Sequence, residues 1–110
     1  MTIVSEGVPV GVCRLHGPPE AGVVEIGYAI DAPFRGRGLA TAAARLLVAR
    51  AFADPRVDAV VAHTPAAPGP SPRLLARLGF RPVRELVGDE GPVWQWKLLR
   101  DVAGDGVAGP

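Results

Sequence analysis

Residues 35–40 read Arg-Gly-Arg-Gly-Leu-Ala and join two runs of different period. Upstream, residues 23–30 (Val-Val-Glu-Ile-Gly-Tyr-Ala-Ile) are rich in β-branched side chains and alternate as a strand does. Downstream, residues 38–53 are apolar on most faces and broken only by Thr41, Arg45 and Arg50, the pattern of a helix buried against a sheet. A second β-run follows at 57–64. Strand, tight turn, helix and strand in that order constrain the chain to a parallel unit with a right-handed crossover, and so to a mixed α/β sheet.

The remaining elements fit around that unit. Strands are expected at 2–5, 9–15, 80–86 and 92–99, with Pro18-Pro19 turning the chain between the second and third strands. A second helix is expected at 71–78, with Ser71 as N-cap, Pro72 at the first helical position and Gly79 just past the end. At 110 residues the chain is one domain, expected over 1–100, and residues 101–110 read as a flexible tail. Hydrophobic residues make up 48%, too many for a disordered chain, so the abundant Gly and Pro punctuate turns.

A Gly-rich turn that opens a helix leaves backbone N–H groups unpaired at the positive end of the helix dipole, which is an anion site suited to a pyrophosphate. Gly36 and Gly38 carry no Cβ to hold a phosphate off the backbone. The turn is not a Walker loop, because the only lysine is Lys97. Nor is it the dinucleotide fingerprint, because Leu39-Ala40-Thr41 follows Gly38 where a glycine is needed.

Charge and composition narrow the classes further. The net charge is +1 and the arginines are scattered along the chain, so no nucleic-acid surface is expected. No apolar run is long enough to cross a membrane, and no signal peptide is read at Met1. Cys13 is the only cysteine, which excludes an internal disulfide and fits a reducing, cytoplasmic setting. Cys13, Trp94 and Trp96 read as packing residues, and His16 as an inert residue of a Gly-Pro turn.

The loop, with Arg35, Gly38 and Ala40 at its specified positions, resembles the acetyl-CoA loop of the GNAT N-acetyltransferase superfamily, Gln/Arg-x-x-Gly-x-Gly/Ala. Its flanks, 24–30 with 34–41, then Ala62-His63-Thr64 with 71–80, then Gly91-Pro92-Val93-Trp94-Gln95-Trp96, look like the Rim-type branch, whose members acetylate ribosomal-protein N-termini. The resemblance covers roughly residues 8 to 98 and implies a central sheet splayed between two strands, with two main helices and acetyl-CoA in the gap. It also implies that the family's usual first strand and two helices, which wall the acceptor site, are missing here, so a homodimer is a possible outcome. Two motif positions depart: Pro68 and Gly69 stand where many members have Asn, and Leu75 where many have an acidic tyrosine.

What the resemblance implies chemically is attack of a neutral amine on the acetyl-CoA thioester. Ile30 and Arg35, Gly36, Arg37, Gly38, Leu39, Ala40 and Thr41 would hold the coenzyme, and no metal is expected. Strand alternation sets Glu25, Gly27 and Ala29 on one face, so Glu25 is the candidate base, against the plainer reading of a sheet residue paired to an arginine. His63, at a strand end, is the alternative base. Ser71 would donate to the thiolate. Gly27 either forms a bulge that exposes an N–H or packs beneath the first helix. An α-amine of pKa ~7.7–8.0 is already partly neutral at physiological pH, whereas a lysine amine near ~10.4 is not, so a lightly equipped site favours α-amines or small aryl and hydroxyl-type amines over lysine. The alternative is a non-catalytic acyl-CoA-binding or partner-binding module; a nucleotide-binding domain is disfavoured by the absent loop lysine.

Overall fold

The computed structural model describes residues 1–101. These form strands β1 (Thr2–Ser5), β2 (Val8–Glu20) and β3 (Val23–Ile30), helix α1 (Leu39–Phe52), strand β4 (Ala59–Pro65), helix α2 (Pro70–Arg77), and strands β5 (Arg81–Gly88) and β6 (Gly91–Leu99). A single 3-10 turn, Ala32–Phe34, leads from β3 towards α1. The sheet runs β1-β2-β3-β4-β6-β5. Only β3 and β4 pair in parallel, as a strand–helix–strand unit requires, and the other neighbours are antiparallel. The expected mixed sheet with two helices is therefore what forms.

Both helices lie on one face of that sheet. Ala43, Ala44, Leu47, Val48 and Ala51 of α1 and Leu74 and Leu75 of α2 share one core with Val24 and Ile26 of β3, Val60 and Ala62 of β4, and Trp96 and Leu98 of β6. Cys13 is buried there as a packing residue, and Trp94 meets Trp96 edge-on at 6.3 Å. Helix α1 is buried on one side only, and Leu46 is left 46% exposed on the other. The α1–β4 connection is tied from the far end of the chain. Arg100 donates to the carbonyls of Phe52, Val57 and Asp54 and stacks over the Phe52 ring.

Three local expectations change. The chain does not turn at Pro18-Pro19. Strand β2 continues to Glu20, the β2–β3 ladder lapses between His16 and Glu20 where prolines cannot donate, and the reversal comes at Ala21-Gly22, both at positive φ. His16 consequently lies on a strand, opposite Glu25. Ser71 is not the N-cap. Proline fixes a helical φ and needs no N–H partner, so Pro70 already starts α2, Gly69 caps it, and Ser71 falls inside the first turn. The other end is as expected: Gly79 has φ 98°, and the N–H groups of Gly79 and Phe80 close back on the carbonyls of Ala76 and Leu75 in a Schellman pattern. The tail expected at 101–110 falls, beyond Asp101, outside the described residues.

Candidate active site

The β3–β4 ladder is short. Val23, Val24 and Glu25 pair with Ala59, Val60 and Val61, and there the pairing stops. Each strand stays paired on its outer side, β3 with β2 as far as Ile30 and β4 with β6 as far as Pro65. The sheet therefore splits, and the edge of β3 that faces β4 beyond Glu25 presents backbone groups with no ladder partner. A cleft of about 480 Å³ occupies the split, lined by Arg14, Glu25, Gly27, Tyr28, His63 and Ser71 among others. That volume lies in the range of small-molecule sites.

The glycine-rich loop stands past the open end of β3. Gly36 and Gly38 have φ of 80° and 75°, a conformation only glycine takes without strain, and a Cβ at either would meet nothing within 4 Å. The first backbone hydrogen bond of α1 runs from Ala42 to Gly38. Among the described residues, the N–H groups of Gly36, Arg37, Gly38, Leu39, Ala40 and Thr41 donate to no backbone carbonyl. This is an open cradle of donors at a helix N-terminus, with the chemistry a pyrophosphate requires. The arginines of the loop act locally. Arg35 Nε donates to the Ile30 carbonyl at 3.0 Å and pins the loop to the end of β3, and Arg37 lies over the Phe34 ring. Ile30 itself is buried, and its carbonyl is the acceptor for Arg35.

The cleft joins two sets of groups on opposite faces of the sheet. On the face without helices, Glu25 Oε2 and His63 Nδ1 are 2.9 Å apart, and His63 Nε2 is 3.2 Å from the Gln95 amide nitrogen. The Nδ1–H tautomer satisfies both contacts: the ring donates to Glu25 and accepts from Gln95. The other carboxylate oxygen, Oε1, has no partner among the described residues, and Glu25 lines the cleft. Glu25 thus pairs with a histidine and not with an arginine. On the helix face, Tyr28 and Ser71 meet. Burial raises the Tyr28 phenol above its ordinary 10.0, and the Ser71 hydroxyl beside it offsets part of that rise. The two do not complete a well-formed hydrogen bond, and the Tyr28 hydroxyl is buried without a partner.

Gly27 does neither of the two things expected of it. The β2–β3 register runs unbroken past it, so there is no bulge, and it faces away from α1. A Cβ there would lie 3.2 Å from Nε of Arg14, so Gly27 makes room for the arginine that crosses it. Tyr28, Gln95 and Arg14 were not singled out by sequence reasoning. Period-two alternation does place Tyr28 with the buried positions of β3, but cross-strand partners such as Arg14 and Gln95 depend on register, which no local pattern encodes.

A family model for the acetyltransferase (GNAT) domain matches residues 1–81. No curated protein sequence matches. Among solved structures, one described as a probable acetyltransferase superposes with a TM-score of 0.78 at 26% identity, covering 87% of this chain and 57% of that one. An aminoglycoside acetyltransferase solved with coenzyme A gives 0.75 at 22% identity, over 90% of this chain and 64% of that one. A ribosomal-protein-alanine N-acetyltransferase from Brucella melitensis gives 0.75 at 19%, over 89% and 66%. This chain thus spans between 57% and 66% of the length of these relatives.

Proposed function

We propose that this chain, which belongs to the acetyltransferase (GNAT) domain family, binds acetyl-CoA and transfers its acetyl group to a primary amine. The observation that carries the reading is the continuity of the open donor cradle at 36–41 with the split between β3 and β4. A pyrophosphate on the cradle directs the pantetheine arm along the free edge of β3 to the cleft. Of the relatives, one is an aminoglycoside acetyltransferase solved with coenzyme A and kanamycin, an amine-bearing acceptor. The Rim-type branch is the nearer reading of the motif blocks, with an α-amine as acceptor.

In this reading the amine enters from the face without helices. Glu25 Oε1 takes a proton from it, directly or through a water, while His63 holds the carboxylate. The amine nitrogen attacks the thioester carbon, whose oxygen is met by an unpaired N–H on the edge of β3. The C–S bond breaks, and the thiolate leaves towards the opposite face, where Ser71 donates a hydrogen bond and the Tyr28 hydroxyl supplies the one proton that makes the thiol, to be restored from solvent. No helix of the described residues is long and apolar enough to cross a membrane, and the free thiol of Cys13 suits a cytoplasmic setting. A homodimer would form through the β5 edge, where Val83 and Val87 stand exposed.

The open sheet face favours one second reading, a module that binds acyl-CoA without turnover. Calorimetric titration with acetyl-CoA, followed by thiol release with a panel of amines, separates the two. Binding with thiol release is the expected result. Binding without release would select the second reading, and no binding would overturn both.

A further inference from the structure

Arginines that are scattered in sequence converge in the fold. Cross-strand register places His16, Glu25, Val61, Lys97 and Arg81 in one row across the face that carries no helix. The next row holds Arg14 and Gly27 on one side of the split, and His63, Gln95 and Arg84 on the other. A register shift between Pro82 and Arg84 brings Arg81 and Arg84 to the same face. Four full cations (Arg14, Arg81, Arg84 and Lys97) thus share this face with two carboxylates, Glu25, which is paired to His63, and Glu20, which lies opposite Val23 at the β2–β3 turn, on a chain whose net charge is only +1. Among the described residues the carboxylates that contact basic side chains are Asp54, ion-paired to Arg56, and Glu25, hydrogen-bonded to His63, so none of the four is neutralised by an acid.

Arg14 is the cation nearest the chemistry. Its side chain crosses Gly27, lines the cleft beside Glu25, and has no hydrogen-bond acceptor among the described residues. A guanidinium beside a paired carboxylate, at the mouth where an acceptor must enter, selects for an anion on that acceptor. We infer that the acceptor is an amine that also carries a carboxylate or phosphate, held by Arg14 with Lys97 and the β5 arginines behind it, so that its amine reaches Glu25. The inference rests on the acetyl-transfer reading for the identity of the bound molecule, but the anion preference can be measured without turnover. A second copy of the chain is disfavoured as occupant, because two such faces repel each other.

The test uses matched amines: β-alanine against β-alaninamide, and phosphoethanolamine against ethanolamine. Each is titrated by calorimetry into the chain saturated with CoA, which cannot transfer an acetyl group. The anionic member of at least one pair binds about 10-fold tighter or more, the worth of one charge-assisted pair. Preference in one pair only identifies carboxylate or phosphate as the group read. Arg14→Gln brings the ratio to about one, Arg14→Lys keeps part of it, and Arg45→Gln on the solvent side of α1 leaves it unchanged. Equal binding within both pairs, no binding by any of the four, or a preference that survives Arg14→Gln overturns the inference. So does a dimer that dissociates in Arg14→Gln, because a second copy would then cover the face. If CoA fails to bind, the acetyl-transfer reading falls alone, and the four amines are titrated into the free chain with the same outcomes.

Discussion

Glu25 Oε2 and His63 Nδ1 lie 2.9 Å apart where β3 and β4 separate, so the last rung of the split sheet is made by side chains instead of backbone. Strand alternation sets each residue on the open face, and the parallel register puts Glu25 in the final backbone pair, with Val61, and His63 two residues beyond it. Two residues that sequence reading offers as rival bases are therefore one hydrogen-bonded unit, extended by Gln95 at 3.2 Å from the far ring nitrogen.

A shared unit has a kinetic signature. Glu25→Gln removes the proton acceptor, and His63→Gln removes the group that orients it. Each variant should slow thiol release with an α-amine acceptor, Glu25→Gln by about 10² or more and His63→Gln by less. The double variant should be no slower than Glu25→Gln alone, because residues that act together are not additive. Acetyl-CoA affinity should be unchanged throughout. Multiplicative losses in the double variant would mean that the two act separately.

The loop makes a prediction about binding alone. Gly38 holds φ 75° at the N-cap of α1 with open space around it, so the fold has room for a side chain but the backbone conformation resists one. Gly38→Val should cost about 1–2 kcal/mol of stability from the left-handed backbone. It should also place a branched side chain where the phosphate approaches, and acetyl-CoA binding should be lost in calorimetry while the chain stays folded by circular dichroism. Retained affinity would move the coenzyme away from this loop.

How far these features can be read from sequence differs by element. The strand at 23–30, the apolar run of α1 and the Gly79 cap are local patterns and are legible. The β-turn at 21–22 was misplaced because Pro18-Pro19 is the stronger local signal, and only the observed ladder shows that β2 runs through it. The start of α2 is read too late because Ser71-Pro72 is a strong cap signal, whereas Pro70 suits a first turn as well and starts the helix earlier. The split between β3 and β4 is legible only through the family resemblance, which implies a splayed sheet, while the meeting of Glu25 with His63, Gly27 with Arg14, and Tyr28 with Ser71 is a product of register between distant strands. Such pairing carries no signature within a single segment. The cationic face was hidden for the same reason, since its members are spread from Arg14 to Lys97 in sequence.

Tyr28 should trade stability against function. Its hydroxyl is buried without a partner, a state that costs about 1–3 kcal/mol, so Tyr28→Phe should be more stable at neutral pH by about 1 kcal/mol. The same change removes a proton donor to the thiolate and should slow thiol release by about 10-fold or more. The sign with pH follows from the raised phenol. The folded chain keeps its proton where the unfolded chain loses it, so this contribution is present below 10.0 and is lost as pH rises above that value. Tyr28 is the only tyrosine, so phenolate absorbance reports it alone. A wild-type titration at or below 10.0 would mean that the hydroxyl is not held out of water, and a Tyr28→Phe chain with full turnover would remove it from the mechanism.

Arg100 governs stability from outside the site. Its guanidinium donates to the Val57 and Asp54 carbonyls at 2.8 Å and to the Phe52 carbonyl at 3.1 Å, and lies 5.0 Å from the centre of the Phe52 ring. These carbonyls belong to the turn that carries the chain from α1 into β4, and hence set where β4 enters the sheet beside β3. Arg100→Gln leaves one donor nitrogen, on a shorter side chain, in place of three and should cost about 2–3 kcal/mol, read as a lower urea midpoint at unchanged slope. Arg100→Lys should recover little, because one ammonium cannot span three carbonyls as a planar fork does. The reacting groups are untouched, so thiol release per folded molecule should stay at the wild-type rate well below the unfolding midpoint. A fall in turnover without a fall in stability would instead mean that the turn positions β4, and with it His63, for the reaction.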